Sequence, residues 1–219
     1  MSNPDSFINE ISEEVRRDRL YALLRRWGWV AALIVIGIVG GAAWTEWSRA
    51  NRAEKAQAFG DSVMAALTAE DVATRRAALA GIEPADANQV AILGLLQASA
   101  ALDGDDADAQ AARDRLLAVA DTPDLATTYR HLALIKAMLA GGSGDAARDG
   151  AILEELAAPG APFRSMAIEL QALTALDAGD EETALTLLRA LTEDAEATQA
   201  LRRRAQQLIV ALGALPEPA

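Results

Sequence analysis

The chain has 219 residues, a formal net charge of −12 and no cysteine. The missing thiols exclude a disulfide framework, thiolate metal sites and thiol chemistry, and the acidic balance argues against nucleic acid as a partner. Hydrophobic residues make up 52% of the chain but aromatics only 4%. The apolar share is mostly alanine and leucine, which favours helices over strands and suffices for one membrane segment plus a core-bearing domain of about 170 residues.

The first 26 residues open with Asn3-Pro4, an N-cap followed by proline at the first helical position, and Phe7, Ile8, Ile11 and Val15 then recur at helical spacing. A short amphipathic helix is predicted here. Residues 27–45 follow, 19 positions without a charged side chain. As a helix they would rise roughly 28 Å, close to the ~30 Å hydrocarbon core of a bilayer. All four tryptophans flank them: Trp27, Trp29, Trp44 and Trp47, placed as interfacial anchors would be. The expectation is therefore a single transmembrane helix over 27–46. Arg16, Arg17, Arg19, Arg25 and Arg26 outnumber Arg49, Arg52 and Lys55, so the positive-inside rule puts the N-terminus in the cytoplasm. A cleaved signal peptide is the rival reading, with Gly41-Ala42-Ala43 as the site, but the leader is too long and too acidic. Gly37 and Gly41 form G-x-x-x-G, with Thr45 one turn further. Such a small stripe lets a second membrane helix approach closely, although a generic lipid-facing span contains the same residues.

Beyond Glu46 the apolar period stays helical and is punctuated by Gly, Pro, Asp and Asn. Helices are predicted at 47–69, 72–81, 87–102, 107–120, 124–140, 145–157, 163–178, 181–192 and 196–213. Leu102, Leu139 and Leu176 end helices and are spaced by 37 residues each time. Leu116 and Val119 repeat as Leu153 and Leu156 at the same distance, then as Leu188 and Leu191 after 35. A tetratricopeptide unit is nominally 34 residues, two antiparallel helices meeting at a small residue. The clearest unit spans 172–191, where Gly179 precedes Ala184 by five residues. The expected fold is all-α: the membrane helix, then a degenerate tetratricopeptide-repeat-like right-handed solenoid over 47–219, about four hairpins and a C-terminal capping helix.

This order of elements, with the segment S-R-A-N-R-A-E-K-A-Q-A-F at 48–59 and S-F-I-N-E-I-S-E-E-V-R-R-D-R-L at 6–20, resembles the YfgM-type ancillary subunits of the SecYEG translocon. The resemblance covers the whole chain in layout and loose motifs. It implies a bacterial inner-membrane protein, single-pass, with its C-terminal domain in the periplasm, binding the Sec translocon and periplasmic chaperones. The function expected is a non-enzymatic scaffold; an assembly or stability factor for another inner-membrane complex is the alternative.

Other motifs carry less. The run from Asp103 to Asp108 clusters carboxylates, but Ala107, Asp108 and Asp114 stand where the EF-hand pattern needs a ligand, a glycine and a glutamate. A helix-to-helix turn with Asp caps explains it better. His131 is the single histidine, so neither a His metal cluster nor a Ser-His pair is supported, and a packed or surface role is expected. Glu154-Glu155 and Glu181-Glu182 diverge on a helix. Gly141 to Gly144 lacks the Lys-Ser/Thr of a phosphate loop. Arg202, Arg203 and Arg204 read as a solvated face of the capping repeat, with docking of an acidic partner as the alternative. No cofactor or metal is expected. Stacked hairpins leave a groove lined by the first helix of each pair, where Tyr129, Met166 and residues 125–132 are the first places to look for a bound polypeptide.

Overall fold

The computed structural model describes the backbone of residues 4–213 and the side chains of 29, 30 and 33–213. Among the described residues there are nine helices and no strand: α1 Pro4–Leu67, α2 Val72–Ala80, α3 Ala87–Ala101, α4 Ala109–Ala120, α5 Thr127–Leu139, α6 Ala146–Ala157, α7 Arg164–Asp177, α8 Glu181–Glu193 and α9 Gln199–Ala211. The chain divides into two compact units, Met1–Ala58 and Phe59–Ala219. The predicted N-cap Asn3 lies outside the described residues.

Among its described residues the first unit is one continuous helix from Pro4, where a short amphipathic helix leading into a membrane span was predicted. Its membrane assignment needs correction: among the described residues no helix is long and apolar enough to cross a membrane. Beyond the uncharged run, Glu46, Arg49, Arg52, Glu54 and Lys55 charge the helix. The single transmembrane helix over 27–46, the single-pass inner-membrane placement, and the cytoplasmic N-terminus and periplasmic domain that depended on it fall with that finding. Leu33, Ile34, Val35, Ile36, Ile38 and Val39 are each more than half exposed.

In the second unit the repeat is real, and it runs deeper than its leucines. Asp71, Asp108 and Asp145, each 37 residues from the next, and Asp180, 35 further on, are the N-caps of α2, α4, α6 and α8. Each carboxylate accepts backbone N–H bonds from the first turn, which is worth about 1 kcal/mol per cap. Leu79, Leu116, Leu153 and Leu188 follow in the same register and are buried. On the alternate helices, Ala98, Ile135, Ala172 and Ile209 stand 37 apart in four successive elements and are all buried. Gly94, His131, Ile168 and Ala205 form a second such row. By contrast Leu102 and Leu139 are 47% and 58% exposed. They mark helix ends and do not build the core.

From α2 to α9 consecutive helices pack against each other, and α3, α5, α7 and α9 also touch in turn. The two helix rows are therefore unequal. First-of-pair helices α3, α5, α7 and α9 form a continuous layer, while α2, α4, α6 and α8 fill the flank. A small residue permits one close approach: a Cβ on buried Gly94 of α3 would meet Val119 of α4, and Ala112, Ala172 and Ala184 are likewise fully buried. Gly179 sits at φ 77 after α7, the left-handed conformation that ends a helix cheaply only without a Cβ. The all-α, helical-repeat architecture and nearly every helix boundary agree with expectation.

Candidate protein-binding face

The layer of first helices is where a partner would meet side chains from several repeats at once. At one 37-residue register α3, α5 and α7 contribute Ile92, Tyr129 and Met166, and α9 contributes Arg203. At another, α7 and α9 contribute Leu173 and Val210, the latter 58% exposed. Tyr129, Leu125, Leu132 and Met166 are half-buried and pack onto the central core cluster around Leu134 and Ile135. The two residues singled out from the sequence thus lie on one register, each with part of its surface in the core and part outside it.

Arginines bind the ends of these helices. Arg76 Nε donates to the Ala100 carbonyl (2.7 Å) and Arg113 Nη1 to the Ala140 carbonyl (3.1 Å). Both reach from a second helix to the C-terminus of the following first helix, satisfying carbonyls that lack a helical partner and meeting the negative end of the dipole. These arginines are again 37 apart, so the register that exposed the leucines contained this signal too. It was missed because arginines at such spacing look like ordinary surface charge.

Between α5 and α6, Arg130 grips Glu155 with two bonds, Nε to Oε1 (2.9 Å) and Nη2 to Oε2 (3.0 Å), while Nη1 donates to the Ala120 carbonyl (2.6 Å). The guanidinium hydrogen bonds hold the Glu155 carboxyl below the ordinary carboxylate range. His131 Nε2 lies 3.4 Å from Glu155 Oε1. Its Nδ1 is buried with no hydrogen-bond partner among the described residues. The histidine is thus packed, at a register position filled elsewhere by glycine, isoleucine and alanine. Glu154 points outward as expected of a divergent pair.

A cleft of about 350 Å³ opens between the start of α7 and α9, lined by Pro162, Phe163 and Met166 on one side and Glu196, Leu201 and Arg204 on the other. Arg204 donates from Nε (2.8 Å) and Nη2 (2.6 Å) to the two oxygens of Glu169. Glu169 is 9% exposed, a depth at which a carboxylate requires a partner. Arg164 Nη1 (2.7 Å) and the Ser165 hydroxyl (3.2 Å) donate to Asp194 Oδ2. The Glu196 backbone N–H, then Ser165 and Arg164, hold the Asp194 carboxyl below its usual range. Arg202 Nη1 donates to the Asp194 carbonyl (2.9 Å). Arg203 and Arg204 are exposed, as a solvated face requires, while Arg202 and Arg204 also bond within the unit. Glu169, missed from sequence, was legible as the lone acid between Ile168 and Ala172 on an apolar stripe.

Elsewhere the motifs resolve as turns. Asp108 caps α4, and Asp103 accepts from Arg75 Nη1 (2.9 Å); no group of residues suited to a metal occurs among the described residues. The Gly141 to Gly144 loop closes on Asp149, whose Oδ1 accepts from the Ser143 N–H (2.7 Å) and whose carboxylate fills the space a Cβ on Gly142 would need. In α1, nothing lies within 4 Å of where a Cβ would stand on Gly37 or Gly41, and Thr45 Oγ1 donates to the Ala42 carbonyl (2.8 Å). Trp29, Trp44 and Trp47 are exposed, with the rings of Trp44 and Trp47 5.4 Å apart. The side chain of Trp27 lies outside the described residues.

Comparison with known protein families, curated proteins and solved structures finds no match.

Proposed function

We propose that the chain is a protein-binding scaffold that takes extended or helical polypeptide segments along the layer of its first helices. One observation carries this reading: α3, α5, α7 and α9 are in contact in series and present part-exposed apolar side chains, Ile92, Tyr129, Met166 and Leu173, from successive repeats. A contiguous apolar surface that spans repeats suits an elongated ligand, because each repeat adds one more contact of the same kind. Tetratricopeptide-like hairpins are the finer form of the fold that fits this use. The resemblance to YfgM-type subunits makes the Sec translocon and its chaperones the first partners to test.

The experiment is site-specific photo-crosslinking in cells, with a benzophenone amino acid at Leu132 or Leu173 on the first-helix layer and at Glu154 on α6 as the control. Adducts to a defined protein from the first two positions and none from Glu154 are expected. Adducts from Glu154 alone, or from no position, would refute the scaffold reading.

A further inference from the structure

We infer that the C-terminal end of α7 is a receptor for an arginine side chain of the bound polypeptide. The inference rests on the scaffold reading and adds the chemistry of one contact.

In two successive repeats a second helix sends an arginine to the end of the following first helix. Arg76 Nη2 donates to the carbonyl of Asp103, and Arg113 Nη1 to that of Ala140. Donor and acceptor are 27 residues apart both times, and the second pair stands 37 residues after the first. The third pair in this series is Gly150 on α6 and Asp177 on α7. Nothing lies within 4 Å of where a Cβ on Gly150 would stand. The acceptor is present and the arm that would reach it is missing.

Asp177 keeps what a guanidinium binds. The N–H groups of Ala178, Gly179 and Asp180 turn back to Thr174, Leu176 and Ala175, which leaves the Asp177 carbonyl without a hydrogen bond among the described residues. The Asp177 carboxylate is exposed and equally without a partner among them. In the first repeat the equivalent residue, Asp103, has both groups occupied, the carbonyl by Arg76 and the carboxylate by Arg75 Nη1 at 2.9 Å. Two repeats on from Arg75 and Arg76 stand Asp149 and Gly150, an acid and a gap in place of two cations. The negative end of the α7 dipole adds to that balance. A single guanidinium fork carries enough donors to serve a carbonyl and a carboxylate together. Leu173, 37% exposed, lies four residues before Asp177 and so on the same face of α7. A segment on the first-helix layer that carries an arginine beside an apolar residue meets both.

The test uses the full chain and a fluorescein-labelled synthetic peptide, Ala-Leu-Arg-Ala-Leu-Arg-Ala-Leu, followed by fluorescence anisotropy. The control peptide has citrulline at each arginine, which keeps the shape and removes the charge. Saturable binding is expected, about fivefold tighter for arginine than for citrulline. D177N should lower that preference to about twofold or less, and G150R, which supplies the missing arm from the chain itself, should abolish it. G150A adds a side chain without a guanidinium and should leave the preference intact. Absence of saturable binding, or equal affinity for the two peptides, overturns the inference. So does a preference that survives in both D177N and G150R, or one that G150A removes as fully as G150R. If the crosslinks from Leu132 and Leu173 persist under any of these results, the scaffold reading stands and the arginine-receptor inference alone fails.

Discussion

Replacing Gly94 by alanine sets two effects of opposite sign against each other at the α3–α4 crossing. Within a helix, Gly to Ala is favourable by about 1 kcal/mol through backbone entropy. Here a Cβ would overlap Val119 Cγ2, with Val119 Cβ 3.7 Å and Arg115 Nε 3.5 Å away. Val119 cannot yield easily. It is 1% exposed and, as a β-branched residue in a helix, has essentially one rotamer. Overpacking a tight site of this kind costs about 1–3 kcal/mol, and the rigid neighbour places it toward the upper end. The sum is a net loss of roughly 1–2 kcal/mol, or a fall of about 2–8 °C in melting temperature for a domain of this size. Thermal unfolding followed at 222 nm is the assay. In a double-mutant cycle, Gly94→Ala should be less harmful on a Val119→Ala background by about 1 kcal/mol or more, because the new methyl then fills space that the lost methyls vacate. A Gly94→Ala protein that melts at or above the wild-type temperature would refute the close-crossing argument.

His131→Leu should raise the melting temperature by about 2–4 °C, since a buried acceptor without a partner costs about 1–3 kcal/mol and isoleucine fills the equivalent position at Ile168; a clear fall would show that the Glu155 contact outweighs the orphaned Nδ1. The folded-state carboxyls of Glu155 and Asp194 titrate below their unfolded values. Their stabilisation is therefore complete above the unfolded carboxylate range and is lost as pH falls through about 4 and below, so denaturant midpoints should be flat from about pH 5 to 7 and drop beneath it. A midpoint that rises on acidification would reverse the sign assigned to both pairs.

Helix existence, order and most boundaries were legible in the linear chain, because the signals are local. Asp71, Asp108, Asp145 and Asp180 cap the turn that follows them, and the leucines recur at the helical period within a single element. The 37-residue register was legible too, and from it the pairing of helices into hairpins. What the register could not say is which repeated residue faces inward. Leu102 and Leu139 repeat as faithfully as Leu116 and Leu153, yet the first two are exposed and the second two buried. Orientation about the helix axis depends on the neighbouring helix, which one-dimensional spacing does not contain. The uncharged run at 27–45 misled, since an expectation read from summed hydropathy met the finding that no helix among the described residues is long and apolar enough to cross a membrane. Long-range ion pairs belonged to tertiary structure alone. Glu169 meets Arg204 across 35 residues and Arg164 meets Asp194 across 30, separations that become contacts only when α7 packs against α8 and α9, and that packing brings Phe163, Leu201 and Arg204 around one cleft.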